Sequence, residues 1–197
     1  MSFRKEKKFK LTYSDMALMQ KDLKKKGMQE LYPSRIISSC YFDNNEMISY
    51  IDSEEGILPR KKVRIRWYNN STEFKKETKI SSIEGRYKYT EDIPEANKIE
   101  NILNTQYFDK IYGNLTPKLI VSYKRYYFTL NKLRITFDKN INYKHFLSRF
   151  KKIIKDEECV MEIKTPLECY DDYIENVIPH QTSRFSKYSR GLLYFNI

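Results

Sequence analysis

Lys62-Val63-Arg64-Ile65-Arg66-Trp67 alternates strictly between base and hydrophobe. Successive side chains of a strand point to opposite faces, so Lys62, Arg64 and Arg66 share one face and Val63, Ile65 and Trp67 the other. The same period recurs along the chain. Arg4, Glu6, Lys8 and Lys10 share a face, as do Glu73, Lys75, Glu77 and Lys79. Arg134, Thr136 and Asp138 lie opposite Leu133, Ile135 and Phe137, and Glu162 and Lys164 opposite Met161 and Ile163. Val121, Tyr123 and Arg125 share a face of a longer strand. One such strand reads as a solvated outer face. Repeated over many strands, with arginine at central positions, the pattern predicts an α+β fold: a closed antiparallel β-barrel with a charged lumen, its apolar faces turned outward onto helices. Like charges repel strongly at low dielectric, so such a lumen calls for interleaved carboxylates and a bound polyanion or ordered water.

Composition agrees with a folded, polyanion-seeking chain. Of 197 residues, 37 are Lys or Arg and 26 Asp or Glu, a net charge of +11. The mean hydropathy of −0.73 is low, yet 17 Tyr and 11 Phe supply the aromatic content that disordered chains lack. No internal repeat, low-complexity tract or Gly/Ser/Pro-rich linker breaks the chain, so a single domain over residues 1–197 is expected. No apolar run approaches the ~18 residues of a membrane span, and the opening Met1-Ser2-Phe3-Arg4-Lys5 has no signal-peptide apolar region. A cytoplasmic protein without membrane insertion is the expectation. Cys40, Cys159 and Cys169 are odd in number and lack CxxC spacing, which reads as reduced thiols.

Strands are expected at 3–11, 36–43, 47–52, 61–68, 72–80, 85–90, 118–130, 132–139 and 159–165. Ser14 is placed as the N-cap of a helix running to Lys26 and ended by Gly27, with Met16, Met19 and Leu23 as its apolar stripe. Further helices are expected over 94–103, around Phe146–Ile154, over 171–177 and over 186–193.

Several of these segments, taken in order, resemble a known family. They are Arg4-Lys5-Glu6-Lys7-Lys8-Phe9, Ser39-Cys40-Tyr41-Phe42-Asp43-Asn44, Arg64-Ile65-Arg66-Trp67-Tyr68 and Glu77-Thr78-Lys79. Pro117 with Ser122-Tyr123-Lys124-Arg125, Leu133-Arg134-Ile135-Thr136-Phe137-Asp138, Met161-Glu162-Ile163-Lys164 and Phe185-Ser186-Lys187-Tyr188 complete the set. The chain resembles the VTC-type polyphosphate polymerase domain of the triphosphate tunnel metalloenzyme superfamily. The resemblance implies an antiparallel β-tunnel and an enzyme that builds inorganic polyphosphate from ATP with Mn²⁺ or Mg²⁺. Position by position it assigns catalytic roles to Arg64, Arg66, Arg125, Arg134 and Lys187. Substrate binding falls to Lys8, Lys79, Lys88 and Lys164, and metal binding to Glu162. The partners it implies are ATP and polyphosphate, with regulation and product translocation left to other proteins, a separate membrane protein among them.

The residue types suit that chemistry. Phosphoryl transfer needs positioning and charge stabilisation more than covalent help. Arginine supplies planar bidentate donors, lysine a mobile point charge. One carboxylate can hold a hard divalent ion when the substrate completes its shell. The terminal phosphate of a growing chain is already ionised and needs no general base, so His145 and His180 are expected to be structural or surface residues. Hydrolytic tunnel enzymes open with Glu-x-Glu-x-Lys, whereas Arg4 stands here at the first glutamate position; losing that carboxylate favours polymerisation over hydrolysis. The rivals are a triphosphatase or nucleoside-triphosphate hydrolase of the same fold, and a non-catalytic binder of polyphosphate or RNA. Tyr123-Lys124-Arg125-Tyr126-Tyr127-Phe128 would suit base stacking. Nucleic acid ranks lower, because the bases are spread over alternating positions of many strands.

Overall fold

A computed structural model of the chain describes residues 4–69, 71, 73–93, 101, 104–146, 152–166 and 169–195. Its elements run β1 (Arg4–Leu11), α1 (Tyr13–Lys25), β2 (Gln29–Asp43), α2 (Ile48–Glu55), β3 (Arg60–Tyr68), β4 (Phe74–Ser82), β5 (Gly85–Ile93), β6 (Tyr107–Asp109), β7 (Gly113–Leu130), β8 (Leu133–His145), β9 (Ile153–Lys155), β10 (Cys159–Pro166), α3 (Asp171–Val177) and α4 (Lys187–Leu193). The strands form one sheet, hydrogen-bonded in the order β1-β10-β8-β7-β2-β3-β4-β5, with β6 on β7 and β9 on β8. The β1–β10, β10–β8, β2–β3, β3–β4, β4–β5 and β6–β7 pairings are antiparallel. The pairing path has two ends, and among the described residues no ladder joins β5 to β1. The expectation of a closed barrel is corrected on this point: the antiparallel sheet is there, the ring of hydrogen bonds is not.

The chain divides into two compact units. Unit 1 comprises residues 1–36, 123–141 and 155–185; unit 2 comprises 37–122, 142–154 and 186–197. In unit 1, Phe9 and Leu11 of β1, Ile135 and Phe137 of β8, and Met161 and Ile163 of β10 form a buried core with Met16 and Leu23 of α1 and Ile174 of α3. In unit 2, Cys40 and Phe42 of β2 and Val63 and Ile65 of β3 pack with Phe74 and Leu115. In both, the hydrophobic set of the alternation is the buried core, which leaves the charged set on the opposite face.

Local departures from the sequence expectation have identifiable causes. Helix α1 is capped by Thr12, not Ser14. The Thr12 hydroxyl accepts from the Asp15 N–H at 3.1 Å and the Asp15 carboxylate accepts from the Thr12 N–H, a capping box. It ends as expected, with Gly27 at φ 95° and the Met28 N–H returning to the Leu23 carbonyl. Residues 48–55 form α2 where a strand was expected over 47–52. The amides of its first turn are taken from behind: Asn44 Oδ1 accepts from the Ile48 N–H, and the Asp43 carboxylate from those of Ser49 and Tyr50, each at 2.9–3.0 Å. Strand β9 occupies Ile153–Lys155, where the end of a helix was expected. Most of the helix expected over 94–103, and residues 147–151, lie outside the described residues.

Candidate functional site

The charged face of β3 and β4 forms the first cluster, within unit 2. Antiparallel register sets Arg64 opposite Glu77 and Tyr41, and Arg66 opposite Ser39. Arg64 donates to one Glu77 oxygen from Nε at 2.8 Å and from Nη2 at 2.5 Å, and from Nη1 to the Tyr41 hydroxyl at 2.9 Å. Arg66 donates from Nε to Ser39 Oγ and lies 3.6 Å from the same Glu77 oxygen. Lys88 of β5 donates to the second oxygen at 3.0 Å. Arg64, Arg66 and Glu77 are buried whereas Lys88 is exposed, so one carboxylate serves two guanidinium groups closed off from water and an ammonium that reaches it. Burial alone would raise the Glu77 carboxyl. The Arg64 and Arg66 charges, with hydrogen bonds from Lys88 and Arg64, outweigh it and hold the group well below the usual carboxylate range. The same two guanidinium groups overcome burial at Tyr41 and lower its phenol.

Lys187 opens α4, whose docking is set by Tyr188. The Tyr188 ring stacks on Tyr41 with centroids 5.0 Å apart, and its hydroxyl donates to Asp43 at 2.6 Å. Burial raises both the Asp43 carboxyl and the Tyr188 phenol, as expected of a pair held away from solvent. Gly191 is required for this docking: a Cβ there would lie 2.5 Å from Leu119 Cδ2 and 2.6 Å from Tyr143 Cδ1.

The second cluster belongs to unit 1. Register places Lys8 opposite Glu162, and Glu6 opposite Lys164, which in turn faces Arg134. Lys164 Nζ lies 2.8 Å from Glu6 Oε1 and 3.2 Å from Glu162 Oε1. Burial would lower this ammonium, but the charges of Glu162 and Glu6 raise it. Lys8 donates to the Phe185 carbonyl at 2.9 Å. Arg125 grips Asp138 at two points, Nε to Oδ1 at 2.6 Å and Nη2 to Oδ2 at 2.7 Å. Burial opposes the Arg125 charge, yet Asp138 keeps it protonated more firmly still. Arg134 is exposed.

The ten residues singled out in the sequence therefore divide evenly. Arg64, Arg66, Lys79, Lys88 and Lys187 lie in unit 2; Lys8, Arg125, Arg134, Glu162 and Lys164 lie in unit 1. Sequence reading assigned no role to Tyr41, Glu77, Asp138 or Glu6. Their parity on the charged faces was visible, but their pairing depends on register. Among the described residues no group of three or more His, Cys, Asp or Glu side chains gathers as a metal site. The two carboxylates around Lys164 nevertheless fit a hard divalent ion, which takes one or two carboxylates and completes its shell with water and phosphate oxygen. His145 packs against Phe195, burial lowers it, and neither it nor the exposed His180 joins a cluster. The three cysteines are free thiols.

The model of the VTC domain family matches residues 3–196. The chain belongs to the VTC domain family. No curated protein sequence matches it. Among solved structures this VTC domain is similar to a candidate adenylyl cyclase from Hippeastrum with a dominant triphosphatase activity, at TM-score 0.58 and 11% identity, covering 98% of this chain and 96% of that one. A conserved hypothetical protein from Pyrococcus furiosus gives TM-score 0.57 and 13% identity, with 94% and 98% covered. A candidate adenylate cyclase from Vibrio parahaemolyticus gives 0.56 and 13%, with 98% of each chain covered. At such identities the likeness is one of fold. No helix among the described residues is long and apolar enough to cross a membrane.

Proposed function

We propose that this VTC domain is a divalent-metal-dependent polyphosphate polymerase. The γ-phosphoryl group of ATP passes to a terminal oxygen of a polyphosphate chain; a P–O bond forms there, the bond to the β-phosphate breaks, and ADP leaves. The observation that carries this reading is the buried Arg64/Arg66 pair on one strand face, with a single carboxylate, Glu77, among three cations. Desolvated, preorganised guanidinium groups suit the non-bridging oxygens of a phosphoryl group in transfer. Lys79, Lys88 and Lys187 are the further phosphate-binding cations of unit 2, and Lys8, Arg125, Arg134 and Lys164 those of unit 1. Glu162, with Glu6 beside it, would hold Mn²⁺ or Mg²⁺, which when bound neutralises phosphate charge. The acceptor is an ionised phosphate, so no histidine is needed, in keeping with His145 and His180 lying outside both clusters.

Triphosphate hydrolysis is the second reading, favoured by the fold shared with the Hippeastrum protein. Against it stands Arg4-Lys5-Glu6-Lys7-Lys8, with one glutamate where hydrolytic tunnel enzymes have two. Incubation of the pure chain with ATP and Mn²⁺ decides. Polymerase activity yields long chains on a gel; free phosphate or tripolyphosphate as the sole product establishes the hydrolase.

A further inference from the structure

Arg64 is gripped from both flanks of β3, and the two grips differ in kind. Its contacts with Glu77, from Nε and Nη2, both end on the same oxygen, Oε2. A bidentate arginine–carboxylate pair uses two oxygens and so fixes the guanidinium plane. Donors that converge on one oxygen leave that oxygen as a pivot. The contact from Nη1 to the Tyr41 hydroxyl comes from the other side, because register sets Glu77 of β4 and Tyr41 of β2 opposite Arg64 on its two flanks. A hold at that far end opposes rotation about the pivot. The guanidinium carbon also lies 5.7 Å from the centre of the Tyr41 ring, within reach of its electron-rich face.

A phenol can fix an arginine only if its own ring is fixed. Tyr41 is buried, and its ring lies within 17° of parallel with that of Tyr188 at a centroid distance of 5.0 Å. The Tyr188 hydroxyl donates to Asp43 Oδ2. Asp43 is itself held by three backbone amides: Asn44 and Ser49 donate to Oδ1, and Tyr50 to Oδ2. Contacts therefore run without a break from the first turn of α2 through Asp43, Tyr188 and Tyr41 to Arg64, and every member belongs to unit 2. Burial alone would raise the Tyr41 phenol; the charges of Arg64, Arg66 and Lys187 outweigh it, as befits an oxygen turned toward the cations. The resemblance carries Tyr41, Asp43 and Tyr188 within its motifs yet assigns a role to none of them.

We infer that Tyr41 is a positioning residue that fixes the Arg64 guanidinium, braced from behind by Tyr188 and Asp43. Its kinetic consequence rests on the phosphoryl-transfer reading above. The test is a double-mutant cycle in the full chain, with ATP and Mn²⁺. Tyr41→Phe keeps the ring and its stack on Tyr188 and removes only the hydroxyl. It should lower kcat about tenfold and leave KM for ATP within about twofold of wild type, because the loss is felt where charge develops in transfer. In an Arg64→Lys background the same substitution should change almost nothing, since no Nη1 remains to be held. Tyr188→Phe, which unties the stacked ring from Asp43, should lower kcat by less than Tyr41→Phe. A readout independent of turnover is the NMR signal set of the Arg64 guanidinium, identified by its loss in Arg64→Lys; exchange between its two Nη groups should be faster in Tyr41→Phe. Wild-type kcat with unchanged exchange in Tyr41→Phe, or an equal loss of kcat in both backgrounds, overturns the inference and leaves the polymerase reading standing. A wild-type chain that only hydrolyses ATP overturns the polymerase reading, and the cycle is then read on phosphate release. A chain that turns over no ATP removes both readings of the reaction, and the exchange measurement alone upholds or overturns the positioning.

Discussion

The two charged clusters are built on opposite ratios. In unit 2 a single carboxylate, Glu77, answers Arg64, Arg66 and Lys88. In unit 1 two carboxylates, Glu6 and Glu162, share Lys164, and Asp138 matches Arg125 atom for atom. On the proposed reading the Glu77 cluster offers its cations to an anion, and the Glu6–Glu162 pair would offer its carboxylates to a metal ion. The same alternating pattern yields two charge arrangements, according to which residues the neighbouring strand brings into register.

The sharpest way to break this contrast is to remove an arginine from each unit. Arg64→Ala should lower polymer synthesis by about 100- to 1,000-fold, the usual loss when a preorganised donor to a transition-state oxygen is removed. Its melting temperature should change little, because Arg66 and Lys88 still face Glu77. Arg125→Ala should cost activity as well, and in addition about 3–5 kcal/mol of stability, since Asp138 loses its two-point partner while buried. Equal stability losses in denaturant titrations of the two variants would erase the distinction. Glu162→Gln should shift the Mn²⁺ activation curve to higher concentration without weakening tripolyphosphate binding; an unmoved curve removes Glu162 from the metal site.

Smaller effects sharpen the picture. Gly191→Ala should destabilise the chain by about 1–3 kcal/mol, because the new methyl group must displace Leu119 and Tyr143. A melt unchanged from wild type would mean that α4 shifts freely. Glu77 gives the last and finest prediction. Its folded carboxyl titrates below its ordinary value of 4.5. Its contribution to stability is therefore complete above that value and fades as the pH falls toward the folded pKa. Acid melts of Glu77→Gln should be flatter than wild type below about pH 4.5; parallel curves would show that Glu77 carries no such linkage.

How far the sequence could be read follows from which interactions are local. The β3 face was legible because alternation is a property of six adjacent residues. So was the end of α1 at Gly27. The start of α2 was not, since its cap comes from Asp43 and Asn44 at the end of a preceding strand, and Met47 enters it at φ 58°, a conformation no sequence rule assigns to methionine. The Glu77 pairing escaped for a related reason. Glu77 sits thirteen residues from Arg64, and only the β3–β4 register sets them opposite. Whether the sheet's pairing path closes likewise depends on its two end strands, which no local pattern encodes.

Asp43 has one more consequence, for the order of events during synthesis. Its carboxylate is wholly enclosed, and one of its donors, the Tyr188 phenol, lies 145 residues downstream. Until the ribosome has delivered residue 188, that acid stands in a half-built pocket, where water must substitute for the missing phenol. Unit 2 can begin to assemble early, but its final dehydration waits for the arrival of α4.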